Sequence, residues 1–387
     1  MPKTFAPRQG KHRRCSFYRW CQPPRKTLAV IPPLQPGGNK PIQMDFEQQL
    51  KALLYFHLQE HRSGRHLPQD LSEDDFACKV IAPPHGIKKS AFFEAINHRG
   101  REEMLQVFQP LYAEAARTLP KKHAHWGERA AIDGSLIDAV LSMHWADCST
   151  VKKAKAHFGF NLNPSIPARI FLADGKAGER PFVEPILAPG QTGVLDRGCP
   201  SHDDFDNWHD AGKFFVCRIM DKAQITVSSH NAVPPGGPVF QDAMVNLGDP
   251  AKNHTRNSCR LAGYQIGAKK YPRVTNRFDL PAGDIAAIYK PRWNIESFFA
   301  WWKRHLKVYH VIARTQYGLM AQILAGLIAY LLLAIYCHNE FKERVSIKRV
   351  RQLRNHIKNE ARFDITAKPL KPDRLNDCCR CLRHAIS

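Results

Sequence analysis

Apolar residues between positions 44 and 121 recur at helical spacing: Phe46, Leu50, Leu53, Leu54 and Phe56, then Phe92, Phe93 and Ile96, then Leu105, Val107, Phe108 and Leu111. This pattern predicts a small all-α domain over residues 44–121. Beyond Trp126 the runs shorten and become strand-like. Residues 129–135 form a short apolar run that delivers Asp133 and Gly134, and residues 190–198 form a second that delivers Asp196. Ala154, Ala156, Phe158 and Phe160 alternate with Lys153, Lys155 and His157, which predicts a half-buried strand with a basic open face. Residues 168–173 and 214–219 add two more strands, the first closed by Asp174-Gly175, a turn signal. Strands alternating with helices imply an α/β core over residues 122–220, with Asp133 and Asp196 leaving strand ends.

Residues 221–284 hold short alternating runs broken at Pro234-Pro235-Gly236-Gly237, and read as a β-rich, basic insertion. The core resumes over residues 285–340. Pro291 suits the first turn of a helix, so a helix is expected from about Lys290 past Lys303, with Ile295, Phe298, Trp302, Leu306 and Tyr309 as its apolar stripe. Residues 318–337 carry no charge, long enough to cross a bilayer by length alone. The run is single, contains Gln322 and follows directly on the preceding helix, so a buried core helix is the expectation and no membrane is implied.

Charge narrows the partners. Lys and Arg number 57 against 35 Asp and Glu, a formal net charge of +22, which favours a polyanion, nucleic acid first and an anionic membrane second. Eleven cysteines, odd in number and scattered, with no secretory leader pattern at the start, point to reduced thiols in a cytoplasmic setting. Cys378, Cys379, Cys381 and His384 lack a second cysteine pair at zinc-ribbon spacing and are not taken as a metal site. The Pro-, Gly- and Lys/Arg-rich residues 1–43 read as a basic disordered arm, and residues 341–387 as a basic C-terminal tail. Residues 84–99 are a Gly-containing turn followed by a short basic helix. They fit either the second half of a helix-turn-helix or an ordinary helical hairpin, and Lys88, Lys89 and Arg99 are the candidate DNA contacts there.

On the predicted helix at residue 290, Arg292, Glu296 and Lys303 fall within an arc of roughly 40°. One carboxylate flanked by two cations suits a metal-dependent reaction at a phosphodiester, Glu296 binding a hard cation and the cations holding phosphate oxygens. A surface ion-pair face is the alternative reading of the same helix. Asp203, Asp204, Asp206 and Asp210 read as a solvated helix face and N-terminal charges, and Asp174 as a turn residue. Asp133, Asp196 and Glu296 then remain as candidate metal ligands.

Tyr289, Arg292, Glu296 and Lys303 stand at Tyr-x2-Arg-x3-Glu-x6-Lys spacing. In this the chain resembles the insertion-sequence transposases of the IS-four family, of the DDE class, over residues 129–309. The resemblance implies an RNase H-like core interrupted by a β-rich insertion. It also implies two Mg²⁺ ions (Mn²⁺ substituting) held by Asp133, Asp196 and Glu296, and transposon-end DNA gripped by Tyr289, Arg292 and Lys303. The reaction it implies is hydrolysis at the ends of an insertion sequence, followed by joining of the freed 3′-hydroxyls to target DNA. A homodimer that pairs two ends, in a bacterial cytoplasm and associated with the nucleoid, belongs to the same expectation. The rival reading is a catalytically inactive, transposase-derived DNA-binding protein.

Overall fold

The computed structural model describes residues 16–35, 41–59, 61, 63–139, 143–148, 151–196, 201–220, 222–308 and 310–366. The basic cluster at 11–14, Tyr309 and the 378–384 cysteine group lie outside the described residues. Among the described residues six α-helices come first: α1 (Ser16–Trp20), α2 (Arg25–Leu28), α3 (Phe46–Gln59), α4 (His66–Glu73), α5 (Lys89–His98) and α6 (Arg101–Thr118), with a π-helical turn at Ala77–Ile81 between α4 and α5. Then come strands β1 (Arg129–Asp138), β2 (Asp147–Cys148), β3 (Val151–Asn161) and β4 (Ile166–Asp174), helix α7 (Arg180–Ile186), strand β5 (Thr192–Leu195), helix α8 (His202–Asp210) and strand β6 (Phe214–Arg218). An all-β stretch follows: β7 (Ile225–His230), β8 (Val239–Asp249), β9 (Asn253–His254), β10 (Cys259–Ile266) and β11 (Lys269–Thr275). Helices α9 (Ala282–Tyr289), α10 (Trp293–His305), α11 (Gln316–Phe341) and α12 (Ile347–Thr366) complete the order.

One mixed sheet runs β2-β3-β1-β5-β6-β11-β10-β8-β7, with β4 also on β3 and β9 on β8. Strand β3 runs antiparallel to both β4 and β1, whereas β1, β5 and β6 are parallel. From β6 outward the β-rich residues continue the same sheet through an antiparallel β6–β11 pairing. The segment read as an insertion therefore extends the sheet, because β11 supplies the ladder partner that β6 would otherwise lack.

Alternation along β1 sends its side chains to two cores. Ala131 and Ile137 enter the larger cluster, with α10, α11 and the N-terminal helices, while Ala130 and Ile132 enter a smaller one with Val183 and Ile186 of α7 and Phe205 and Trp208 of α8. On the larger side Phe298, Phe299 and Trp302 of α10 pack on Phe158 and Phe160 of β3, Trp302 meeting Phe158 edge-on at 5.4 Å. Helix α11 is the apolar run, buried nearly throughout, as a core helix should be. Its one polar interior residue has a task. Gln322 accepts from the N–H groups of Ile312 and Ala313 and donates to His310 O, satisfying the loop between α10 and α11.

Several expectations need correction. Residues 16–35 are not a disordered arm: Phe17 and Trp20 are buried in the large cluster, and Ser16 binds Glu360 of α12 through N–H and hydroxyl. The 44–121 helices do not close over a core of their own but share the large cluster with α11 and β3. Residues from 347 form α12, with Val350, Leu353 and Ile357 buried, where a tail was expected. The open face of β3 is covered, since His157 is fully buried against Phe182 of α7 and Lys155 pairs with Glu179. Asp206 is not solvated; it is 1% exposed and accepts from the N–H groups of Arg256 and Asn257.

Candidate active site

Asp133 lies in the middle of β1, not at its end, because the strand runs on to Asp138. Register explains how it meets Asp196. Ala131 pairs with Val194 in the parallel β1–β5 ladder, and each acid stands two residues beyond that pair. Gly134 leaves room next to Asp133 for Lys155 to lie across the strand: a Cβ there would fall 2.4 Å from Lys155 Cε and make that flexible side chain move aside. The Gly134 N–H turns back to donate to Asp133 Oδ1 at 2.8 Å.

Helix α9 ends at Tyr289, a 3₁₀ turn carries Lys290, Pro291 and Arg292, and α10 starts at Trp293. The helical path thus begins eight residues before the Lys290 start expected from Pro291, which instead occupies the joint between two helices. Ile295, Phe298 and Trp302 bury one face of α10, and Glu296 lies off that face. Arg292, one turn earlier, is almost buried and reaches three acids. Its Nη2 is 2.8 Å from Glu296 Oε1 and 3.9 Å from Asp196 Oδ2, and its Nη1 is 3.5 Å from Asp133 Oδ2. The carboxylates that the sequence singled out therefore meet around a single guanidinium.

The electrostatics of this cluster are uneven. Burial first, then the negative field of Glu179, lifts the Asp133 carboxyl to about 6; the Gly134 hydrogen bond and Arg292 oppose this, and Glu296 adds to it. Burial alone would lower Arg292, but Tyr289, Asp196, Asp133 and Glu296 outweigh it and hold the guanidinium above its ordinary value. Burial also pushes the Tyr289 hydroxyl up to about 12. The Tyr289 ring is clamped by Arg273, whose Cζ is 3.8 Å from its centroid.

Lys303 does not join the cluster: its Nζ donates to Leu136 O at 2.6 Å, three residues further along β1 than Asp133. Lys88 and Lys89 are exposed at the start of α5, and Arg99 pairs with Glu94 at 2.8 Å, with no described contact to the acids. Two neighbours escaped the sequence reading. Glu179 carries no helical or strand periodicity that marks it. Arg273 offered a signal, a cation on the inward side of an alternating strand, where it is 3% exposed.

A divalent ion suits this donor set. All candidate ligands are carboxylate oxygens, the preference of a hard cation, and three acids against one arginine leave an excess of negative charge. Among the described residues no three such side chains enclose an ion as they lie, the Arg292 guanidinium being the positive charge they share.

The sequence pattern of the transposase DDE domain matches residues 127–332, which takes in every element that carries the cluster. The chain belongs to the DDE transposase family. Among curated proteins, the DDE transposase chain is 25% identical over 213 residues to one named a probable transposase for insertion sequence element IS5377 of Geobacillus stearothermophilus, covering 54% of this chain and 56% of the relative. It is 26% identical over 211 residues to a protein named as transposase y4zB of Sinorhizobium fredii, and equally to one named as a transposase for insertion sequence element IS4SA of Synechocystis sp.. Each of these two alignments covers 53% of this chain and 59% of the relative. The transposase chain thus spans less than two thirds of the curated relatives it matches. DDE domains of this class act with divalent metal, in keeping with the all-oxygen donor set.

Proposed function

We propose that this DDE transposase serves an insertion sequence, binding its terminal inverted repeats, cleaving the element ends and joining the freed 3′-hydroxyls to target DNA. The observation that carries the proposal is the convergence of Asp133, Asp196 and Glu296 on Arg292. The order β4-β3-β1-β5-β6, three antiparallel strands followed by two parallel ones, supports the RNase H-like reading of the core. The substrate is double-stranded DNA, the working assembly a homodimer that pairs two ends, and the setting the bacterial cytoplasm.

Phosphodiester displacement needs charge neutralisation and in-line placement more than a covalent protein intermediate. Asp133, Asp196 and Glu296 would hold Mg²⁺ or Mn²⁺, which when bound supplies activation of the attacking oxygen and stabilisation of the leaving one. Arg292 has a planar fork suited to non-bridging phosphate oxygens. Tyr289, held by Arg273 and protonated at neutral pH, offers an O–H donor beside Asp196. Lys303 of α10 reaches β1 at Leu136, past Asp133, where it would meet the DNA backbone beyond the scissile phosphate. Lys88, Lys89 and Arg99 are proposed as DNA contacts outside the site.

The test is strand cleavage of labelled DNA carrying the element's ends, with Mg²⁺ or Mn²⁺, comparing wild type with Asp133→Ala, Asp196→Ala and Glu296→Ala. Metal-dependent nicking at the element boundary that each substitution abolishes supports the assignment. Undiminished cutting by one variant removes that residue from the site. A wild type that binds the ends and never cuts favours the inactive DNA-binding reading.

A further inference from the structure

Helix α12 buries Val350, Leu353 and Ile357 on one face. On the opposite face, within an arc of roughly 80° at helical spacing, stand Lys348, Arg351, Asn355 and Lys358, all exposed. No Asp or Glu shares that arc. The acids nearest in sequence are engaged elsewhere: Glu343 is held by both Nε and Nη2 of Arg349, and Glu360 accepts from Ser16 of α1. Among the described residues, no ion pair involves Lys348, Arg351 or Lys358.

The position of this stripe relates it to the acidic cluster. Arg354, one turn from both Arg351 and Lys358, donates from Nη2 to His305 O at 3.1 Å and from Nε to Leu58 O. The first bond pins α12 to the last residue of α10, the helix that carries Glu296. Nine residues of α10 separate Glu296 from His305, about 14 Å of rise, and exposed Arg304 lies along the way. From Lys348 to Lys358 the stripe covers about 15 Å, over which one strand of a duplex presents about four phosphates.

We propose that the exposed face of α12 binds duplex DNA through its phosphates and holds the tract that extends from the cleavage site. This rests on the reading of the acids as a DNA-cleaving site and adds a surface to it. Three cations in line, fastened to the end of α10, with Glu343, the carboxylate whose field reaches Lys348, already held by Arg349, form a backbone-tracking surface that positions DNA without reading its sequence.

The experiment measures binding of a labelled 40-bp duplex by full-length protein from 50 to 300 mM salt. Lys348→Gln/Arg351→Gln/Lys358→Gln is compared with wild type and with a control of equal charge change, Lys252→Gln/Lys269→Gln/Lys270→Gln. Loss of three phosphate contacts should flatten the slope of log affinity against log salt by about 3 and weaken binding at least ~10-fold near 0.1 M salt. The control should keep the wild-type slope, and the charge-retaining Lys348→Arg/Arg351→Lys/Lys358→Arg should too. An unchanged slope in the glutamine variant, an equal loss in the control, or the same loss in the charge-retaining variant overturns the proposal. So does wild-type binding of anionic phospholipid vesicles in preference to the duplex. Wild type that binds and cuts DNA while the glutamine variant keeps its slope refutes the α12 surface alone; wild type that neither binds nor cuts refutes the transposase reading.

Discussion

Replacing Asp133 with Asn should stabilise the metal-free protein, and by an amount that depends on pH. The folded protein lifts this carboxyl from 3.8 to about 6, mainly through burial, and its side chain is only 21% exposed. A raised pKa means that the folded state favours the neutral form. Its stability is therefore full below pH 3.8 and declines as pH rises through 6, with a loss of up to ~3 kcal/mol at neutral pH and above. Asn keeps an oxygen to accept from Gly134 N–H and cannot ionise, so Asp133→Asn should gain most of that ~3 kcal/mol at pH 8 and little near pH 4. For a chain of this length the gain corresponds to a rise of about 3–4 °C in Tm. Thermal unfolding at pH 4 to 8 in EDTA measures it. Repeating the series in excess Mg²⁺ should nearly close the gap at pH 8: at a hundredfold excess over Kd the wild type gains ~2.7 kcal/mol, which the variant lacks. Equal or lower stability of Asp133→Asn at pH 8, or a difference that stays flat from pH 4 to 8, would refute the assignment of Asp133 as an acid held under strain for a cation.

Three further outcomes test the scaffold. Gly318→Ala should cost ~1–3 kcal/mol by urea unfolding, because the new Cβ would lie 2.7 Å from Ile96 O and 2.9 Å from Asn97 Cα, backbone atoms that cannot rotate away, whereas Gly283→Ala on α9 meets nothing within 4 Å and should be neutral or stabilising. Asp242→Ala should cost ~3–5 kcal/mol in the same assay, since it strips a nearly buried Arg260 of both its hydrogen bonds to that carboxylate, at 2.7 and 2.8 Å. His57 is fully buried and burial lowers its pKa to about 4, so the wild type should lose up to ~3 kcal/mol as pH falls from 6.5 to 4; His57→Gln, measured by unfolding at both pH values, should lack that part of the slope.

The acids were legible in the sequence because each ends or interrupts a short apolar run, and such runs become central strands whose register aligns their carboxylates. Arg292 and Glu296 were legible through the four-residue spacing alone, which places them one turn apart wherever the helix starts. Where Lys303 reaches was not legible, since its destination depends on how far β1 continues past Asp133, and nothing in residues 134–138 announces that length. Arg273 and Glu179 reach the site only through tertiary packing. Phe17 and Trp20 were hidden by the basic, Pro-rich composition around them; Phe17 meets Phe76 edge-on at 5.7 Å and α1 packs on α11 and α12, elements from the far end of the sequence. The lone Gln322 inside an apolar run was a sound sign of a protein interior, because a lipid-facing helix has no loop amides for it to satisfy.

The shared hydrophobic cluster ties the order of synthesis to activity. Helices α3, α5 and α6 emerge from the ribosome early, yet the element that covers their apolar faces, α11, is made some two hundred residues later. Until then the growing chain carries uncovered apolar surface, a state that invites chaperone capture or aggregation. Glu296 arrives just before α11, so the three carboxylates first come together at nearly the moment the N-terminal helices find their partner. An unfinished chain therefore lacks a closed core, and a nascent polypeptide arrested before residue 316 should aggregate and fail to cut DNA, even where its basic charge lets it bind.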